Sequence, residues 1–249
     1  MPAVSHLATI RAVYPRARTT DETVARLLRC FERDFSLSPS QIMHADSTCS
    51  DDVNMITYPS QAYEMLGPFK MGGLDGFPFT GLTGMSAFAH HVPVDGAVFV
   101  FHAPHIGVTA AGAVGEIHRV GQVGASACCG AARAALGKLQ RGELTAQAPD
   151  DLDYQQQTLE QILLASADRV LSATAPLIEA TEVVYEAAAA RIDLLASRTQ
   201  YPCQHLFLKG GIIINGDHGM GSFCEVRRFI HIDLHTGERT DLMPRLELA

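Results

Sequence analysis

The sequence predicts an α/β fold in which helices flank a mixed β-sheet, with a helical segment at the N-terminus. Segments rich in β-branched and aromatic residues alternate along the chain with segments whose apolar residues recur at helical spacing. Strands mixed with helices throughout favour α/β layers over a helical bundle. A chain of 249 residues can bury one sizeable core. We therefore expect a single domain over residues 1–249 that begins with a helical arm over residues 1–40.

The first predicted element is an amphipathic helix over residues 20–35. Thr19, followed three residues later by Glu22, has the pattern of a capping box. Pro39 marks the exit from the helix. The apolar residues at helical spacing are Val24, Leu27, Leu28 and Phe31.

The middle of the chain predicts one strand and three helices. Apolar and β-branched residues gather at 97–101 between two turn signals, which suits a buried strand. The alanine-rich run 131–139 is strongly helix-forming. Two longer helices are predicted from the apolar residues of 159–171 and 177–195, and Pro176 either separates or kinks them.

The C-terminal third returns to strand character. Strands are predicted over 204–208, 211–215 and 228–234. Residues 235–238 then form a turn that leads to a final strand or an extended tail.

A glycine-rich segment over residues 67–84 stands apart from these elements. Its glycines and prolines are interleaved with Phe69, Phe77 and Phe79. Long irregular stretches inside a compact domain tend to be functional, and glycine lets the backbone approach a ligand closely. The alternative is a turn-rich surface crossing whose phenylalanines fill the core. The residues alone leave both interpretations open.

Composition excludes several classes of function. A net charge of −8 argues against nucleic acid as a partner, because phosphate backbones attract clustered Lys and Arg. No apolar run reaches the roughly 20 residues that a membrane span needs, so we expect no membrane partner. The first residues lack the pattern of a secretory signal. Six cysteines are too few for a disulfide scaffold. We therefore expect a cytoplasmic protein with reduced thiols, or an organellar stroma if a transit segment is absent from this sequence.

Three residues carry the chemistry of a catalytic zinc site. Cys49, His105 and Cys129 offer two thiolates and an imidazole, which leaves a fourth position for water. Asp51 places a carboxylate where it could ligate the metal or hold that water. The spacing alone leaves open that these are unrelated buried residues, since free cysteine is among the most buried side chains.

Four separated motifs occur in order along the chain: Cys49–Asn54, Gly72–Gly81, Pro104–Gly107 and Cys129–Gly130. Together they resemble the limiting-CO2-inducible protein (LCIB/LCIC) family. The similarity extends from about residue 46 to residue 130, with a weaker echo near 209–219. Members of that family resemble β-type carbonic anhydrases in fold and zinc site, and some but not all are active on CO2.

This resemblance implies a β-carbonic-anhydrase-like fold with zinc (Zn2+) bound by Cys49, His105 and Cys129. In β-type enzymes the aspartate two residues after the first cysteine alternates between zinc and an arginine two residues further on. Asp51 matches that aspartate, but Val53 occupies the position of the arginine. The first choice for its partner is Arg119. The other candidates are Arg133, Arg191 and Arg198.

Two further choices concern neighbouring residues. Cys129 is preferred over Cys128 because it precedes a run that opens a helix, and a helix N-terminus favours the thiolate. Cys128 is expected to pack inward. His91 matches a family histidine and is a candidate proton relay or pocket residue, because an ordinary histidine titrates near neutral pH. His102 could form a His-x-x-His pair with His105, but the family pattern assigns the metal to His105.

The resemblance predicts a carbonic anhydrase that reversibly converts CO2 to bicarbonate and a proton. Zinc-bound hydroxide would attack CO2 in a small apolar pocket, and Val53, Phe79 and Leu82 are candidates for its lining. A silent zinc protein, acting as a structural or bicarbonate-handling partner in inorganic-carbon uptake, is the alternative. A thiol redox protein that uses Cys128 and Cys129 ranks last.

We also expect a homodimer with each zinc near the subunit boundary. β-type sites are completed across an interface, and two-fold dimers are the commonest soluble assemblies. The apolar faces of the two long helices between residues 159 and 195 offer more burial than one sheet face needs. The alternative is that both helices simply cover their own sheet.

Overall fold

A mixed sheet of eight strands lies at the centre of the computed structural model, which describes residues 2–249. Its strands are β1 (Arg18–Thr19), β2 (Ile42–Ser47), β3 (Leu66–Lys70), β4 (Ala97–His102), β5 (His105–Gly107), β8 (His205–Asn215), β9 (Ser222–Asp233) and β10 (Arg239–Asp241). A separate two-stranded hairpin is formed by β6 (Glu116–His118) and β7 (Ala125–Ala127).

The strand order across the sheet is β1-β9-β8-β4-β2-β3, with β5 paired to β8 and β10 paired to β9. Strands β3, β2, β4, β5 and β8 run parallel, and β9 is antiparallel to β8, β1 and β10. The carboxyl ends of the parallel strands therefore meet at one edge, which is where α/β sheets commonly bind ligands.

Helices cover both faces of this sheet, and the α/β prediction is confirmed. The helices are α1 (Pro2–Arg11), α2 (Thr20–Phe35), α3 (Asp52–Ile56), α4 (Leu82–His90), α5 (Gly130–Gln140), α6 (Tyr154–Ala165), α7 (Ala167–Ser172), α8 (Pro176–Arg198) and α9 (Met243–Leu248). None of the helices within residues 2–249 combines the length and the apolarity that crossing a bilayer requires.

Side chains of neighbouring strand residues supply two separate cores. Phe99 of β4 packs with Phe31 of α2 on one face, in a cluster that also includes α9. Val98, the preceding residue, packs with Phe88 of α4 and Ile192 of α8 on the other face. This alternation follows from strand geometry, in which successive side chains point to opposite faces.

The helix predicted over residues 20–35 matches α2. The Thr19 hydroxyl accepts a hydrogen bond from the Glu22 amide at 3.1 Å, which is half of the predicted capping box. The Glu22 carboxylate instead accepts from Arg26 Nε at 3.0 Å. The chain leaves α2 at Ser36, in the left-handed conformation and ahead of Pro39.

Three predicted elements have different bounds in the structure. A single helix over 159–171 is wrong, because the chain divides at Ser166 into α6 and α7. The strands predicted at 204–208 and 211–215 form one strand, β8, since Gly210 and Gly211 interrupt only the sequence pattern and mark a register shift against β9. β9 begins at Ser222, before the predicted 228.

The strand predicted over 97–101 corresponds to β4, and the helix over 131–139 to α5. Pro176 separates α8 from α7, since it occupies the first turn of α8. The turn at 235–238 leads to β10 as expected, and the chain then forms α9 rather than an extended tail.

Candidate metal centre

The three residues predicted to bind zinc meet at the carboxyl edge of the sheet. Cys49 follows β2 by two residues, His105 opens β5, and Cys129 precedes the first residue of α5. Their ligand atoms all lie within 4.8 Å of one another, and all three side chains are buried. Two sulfurs and an imidazole nitrogen at this spacing suit a tetrahedral metal ion with one position left over.

Hydrogen bonding orients the imidazole of His105. Its Nδ1 lies 2.7 Å from Oδ1 of Asn215, which is a pure acceptor, so Nδ1 carries the proton and donates it. The other nitrogen, Nε2, is buried and has no hydrogen-bond partner within residues 2–249. A neutral histidine held this way presents a free lone pair, as a metal ligand requires. Asn215 was missed by the sequence analysis.

Burial and mutual contacts shift the pKa values of His105 and Cys49. Burial alone would lower the pKa of His105, but the neighbouring thiols of Cys128 and Cys49 outweigh burial and raise it well above its ordinary value. The hydrogen bond with Cys129 and burial raise the pKa of Cys49. A metal ion that binds here would displace the proton on His105 and supply the positive charge that stabilises the thiolate of Cys49.

Asp75 lies directly behind the ligands and was also missed by the sequence analysis. Its backbone amide donates to Cys49 Sγ at 3.1 Å, and its Oδ1 accepts from the His105 amide at 3.2 Å. The side chain is fully buried, and Oδ2 has no partner in the part of the chain that the structure describes. Burial raises the pKa of Asp75 to about 6. A nearby cation would favour its ionised form.

The glycine-rich segment brings Asp75 to this position. Gly76 has a φ of +68°, and a Cβ there would lie 2.1 Å from the carbonyl oxygen of Ala103, just after β4. A Cβ on Gly72 would lie 2.4 Å from the carbonyl oxygen of Thr48. Any side chain at either position would push the segment away from the strand ends. The structure thus places this segment against the metal centre.

Arg119 is the arginine that contacts Asp51. Its Nη2 lies 2.7 Å from Oδ2 of Asp51, and its Nη1 lies 2.7 Å from Oδ1 of Asp52. Burial alone would raise the pKa of Asp51, but the hydrogen bonds from Arg119 and the Val53 amide outweigh it and lower the pKa. Arg133, another candidate partner for Asp51, instead forms an ion pair with Glu116, with 3.6 Å between Nη1 and Oε2. The carboxylate of Asp51 therefore stays ionised near neutral pH.

A second group of possible ligands shares His105 with the first. Ligand atoms of Asp51, His105 and Cys128 also lie within 4.8 Å of one another. Cys128 packs inward as expected, in an apolar cluster with Val53 and Ile117. Asp51 therefore contacts Arg119 and also lies close to His105. From this position its carboxylate could turn towards a bound metal.

Other candidates lie away from the centre. His91 caps the carboxyl end of α4, is exposed, and has its ring 6.4 Å from that of Phe69. Because α4 leads back to the start of β4, His91 lies at the opposite end of that strand from His105. The Nε2 atom of His102 accepts from Arg228 at 3.1 Å and does not join the site.

Only one of the three residues proposed to line a CO2 pocket borders the centre. Val53 packs beside Cys128, whereas Phe79 makes edge-to-face contacts with Phe77 and Tyr154, and Leu82 is exposed. An open cleft of about 910 Å³ lies on the Asp51 side of the centre. Its lining includes Asp51, Val53, Ile117, His118 and Arg119.

Comparisons with known proteins give one consistent result. A family model described as limiting CO2-inducible proteins B/C β-carbonic anhydrases matches residues 17–233. The crystal structure of PtLCIB4, a homolog of the limiting CO2-inducible protein LCIB, is 30% identical to this chain. That match covers 94% of this chain and 98% of PtLCIB4, with a TM-score of 0.83.

Two further structures are similar. A mutant of PtLCIB4 is also 30% identical over 96% of this chain and 99% of its own, with a TM-score of 0.85. LCIB itself is 18% identical, covers 92% of this chain and 94% of its own, and has a TM-score of 0.67, which shows a shared fold. No curated protein sequence matches the chain significantly.

Replacing Asn215 should weaken metal binding without touching a ligand. In Asn215→Leu the acceptor for His105 Nδ1–H is lost, so the ring is free to rotate or change tautomer. We expect zinc affinity to fall about 10–100-fold, as for other residues that orient metal ligands. Competition with a chromophoric chelator measures the change. Asn215→Asp keeps the acceptor oxygen and should keep most of the affinity; equal losses in both variants would contradict the orienting role.

Proposed function

The chain belongs to the limiting CO2-inducible proteins B/C β-carbonic anhydrases, as its motifs predict, and from this premise we propose that it is a zinc-dependent carbonic anhydrase. It would catalyse the reversible hydration of CO2 to bicarbonate and a proton. The observation that carries the proposal is the buried group of Cys49, His105 and Cys129, with an ionised Asp51 at its open side.

The donor set fits zinc. Two sulfurs and one imidazole are a ligand combination that catalytic zinc sites use, and the free Nε2 of His105 is oriented for it. When bound there, zinc supplies a Lewis acid that makes a water molecule nucleophilic near neutral pH. Asp75, whose carboxylate lies behind the ligands, adds negative charge that compensates the ion.

The residues around the ligands would divide the remaining tasks. Asp51 is held ionised by Arg119, so it can accept a hydrogen bond from water at the centre and orient it. Val53 and Ile117 form an apolar wall beside Cys128, where a small nonpolar substrate can lie. The cleft that these residues share gives CO2 and bicarbonate a path to solvent.

One observation favours a second candidate function. Ligand atoms of Asp51 and His105 lie within 4.8 Å of each other. If Asp51 moved onto a metal ion held by the other three residues, the site would be closed, and closed four-ligand sites are structural. The protein would then hold zinc without activating water and act as a structural or bicarbonate-handling partner. CO2 hydration kinetics separate the two, since only the first candidate gives turnover above the uncatalysed rate.

We propose in addition that the protein forms a homodimer whose interface borders the cleft. The apolar faces of α5, α6, α7 and α8 pack against one another in one cluster, so the two long helices cover each other rather than a second subunit. Exposed apolar side chains occur instead beside Asp51 and Arg119. They are Met55, Ile56, Val120 and Val123.

The choice of cysteine can be tested by elemental analysis. We expect about one zinc per chain, and Cys49→Ser and Cys129→Ser should lose it because each removes one of the three ligands. Cys128→Ser is the matched control, since it changes the adjacent residue and should retain the metal. If Cys128→Ser loses zinc while Cys129→Ser keeps it, the assignment of the ligand is wrong.

Replacing Asp51 should separate catalysis from metal binding. We expect Asp51→Ala to lower kcat for CO2 hydration by about 10²-fold or more while zinc content is retained, because Asp51 positions water and the other three residues hold the ion. Stopped-flow kinetics on the zinc-loaded protein measure the change. Asp52→Ala is the control, as its exposed carboxylate also binds Arg119. Wild-type turnover in Asp51→Ala would remove Asp51 from the mechanism.

The interface can be tested by introducing charge. The double variant Ile56→Glu and Val120→Glu should dissociate the dimer, because it brings carboxylates into a desolvated contact at a two-fold interface. Leu171→Glu, which changes an exposed leucine of α7, should leave the dimer intact. Sedimentation at micromolar concentration reports the outcome. A wild-type monomer, or equal dissociation in all variants, would contradict an interface at the cleft.

A further inference from the structure

A lysine is buried in the core on the face of the sheet covered by α2. Lys209 lies in β8, two residues from Phe207 and on the same side, and its side chain is only 4% exposed. Its Nζ lies 3.8 Å from the ring centroid of Phe101 and 3.9 Å from Cys224 Sγ. Within residues 2–249, no carboxylate forms an ion pair with Lys209.

The chain has only two other lysines, and both differ in this respect. Lys70 Nζ lies 2.7 Å from Asp46 Oδ2, and Lys138 Nζ lies 2.7 Å from Glu160 Oε1. Both are partly exposed. An ammonium group that is buried without a counter-charge costs several kcal/mol, so burial lowers the pKa of Lys209 below its ordinary value. Lys209 is therefore the lysine most readily present as a neutral, nucleophilic amine.

A cavity of about 60 Å³ is lined in part by Lys209 and by Phe101 and Cys224, the two residues that its Nζ contacts. That volume is several times the roughly 10–15 Å³ that one enclosed water requires. Most of its wall is apolar, including Leu27, Phe99 and Ile213. Thr20 and Ser222 line both this cavity and the open cleft, so small molecules have a short route from the cleft. Such a space suits a small, nonpolar gas molecule better than a hydrated ion.

Polar groups in the same wall are available to an anion formed inside the cavity. The Thr48 hydroxyl lies 3.4 Å from Asp46 Oδ1, and Asn54 Nδ2 lies 3.5 Å from the carbonyl oxygen of Cys49. Both hydrogen bonds are at the long limit, so either donor can turn to a guest at little cost. The first turn of α2 also borders the cavity through Thr20 and Thr23, and a helix N-terminus favours negative charge.

We propose that Lys209 is a CO2-binding site that forms a carbamate inside this cavity. The lone pair of the neutral Nζ attacks the carbon of CO2, a new N–C bond forms, and one C=O π bond opens to leave its electron pair on oxygen. The nitrogen then loses one proton to solvent. The balance is an amine plus CO2 giving a carbamate anion and a proton, with no change in oxidation state.

Two residues that line the cavity, Thr48 and Asn54, connect the carbamate to the metal centre. Thr48 directly precedes Cys49, and Asn54 Oδ1 accepts a hydrogen bond from Asn215, which orients His105. CO2 bound at Lys209 thus acts on residues that position the ligands, although the adduct requires neither zinc nor turnover.

Chemical trapping tests the adduct directly. The wild-type protein is equilibrated with ¹³C-labelled bicarbonate and CO2, carbamates are alkylated with triethyloxonium, and peptides are analysed by mass spectrometry. We expect labelled adduct on Lys209 at a level at least about tenfold above Lys70 or Lys138, since the free-amine fraction rises about tenfold for each unit by which a pKa falls. No adduct on Lys209, or equal adduct on all three lysines, overturns the proposal.

Two variants strengthen the test. Lys209→Met should abolish the carbamate resonance in ¹³C spectra, and Ala62→Leu, which fills part of the cavity and leaves the amine, should reduce adduct on Lys209. A carbamate signal of unchanged intensity in Lys209→Met assigns the adduct to another amine, such as the N-terminus, and overturns the proposal. Because trapping reports an adduct and not turnover, its failure leaves the proposal of CO2 hydration untouched, and an inactive protein can still carry the adduct.

Discussion

The metal centre depends on one electrostatic constraint, which is the burial of donor atoms that the protein alone leaves unpaired. Nε2 of His105 and Oδ2 of Asp75 have no hydrogen-bond partner within residues 2–249, and the sulfurs of Cys49 and Cys129 are buried with them. A buried polar atom without a partner costs about 1–3 kcal/mol, and a charged one costs more. A bound cation would offset these costs together, because both sulfurs and the imidazole would be its ligands. Folding at this edge of the sheet would then be coupled to metal binding.

The sequence could predict that Cys49, His105 and Cys129 lie close together, because each lies in a short motif. It could not predict the residues that support them. Asn215 contacts His105 from 110 positions away in the sequence, through the pairing of β5 with β8. Asp75 adopts a φ of +49°, so its role depends on a backbone shape that no periodic pattern reveals. The available signal for Asp75 was an aspartate directly before Gly76 in a glycine-rich segment, and the signal for Asn215 was an asparagine at the end of an apolar strand.

Two differences between the sequence-based expectations and the structure, the strand β2 and the position of His91, also have specific causes. Strand β2, which delivers Cys49, was not predicted because His44, Asp46 and Ser47 interrupt its apolar pattern. Their polar groups are instead satisfied in the interior by Tyr58, Lys70 and the carbonyl oxygen of Gly76. His91 was placed near the metal by its resemblance to a family histidine, yet α4 carries it to the far end of β4. A motif identifies the residues next to His91 in the sequence. Its distance from the metal centre depends on the direction in which α4 runs.

The position of Arg119 links the centre to the surface of the molecule. In β-type enzymes the arginine follows the aspartate by two residues, but here Val53 occupies that place and the guanidinium arrives from 68 positions away. It is carried by the hairpin of β6 and β7, whose loop also exposes Val120 and Val123. A partner subunit that covers these valines would restrict the hairpin and hold Arg119 on Asp51. Assembly, if it occurs there as proposed, would couple to the state of Asp51 through one short hairpin, which a local arginine in α3 would not achieve.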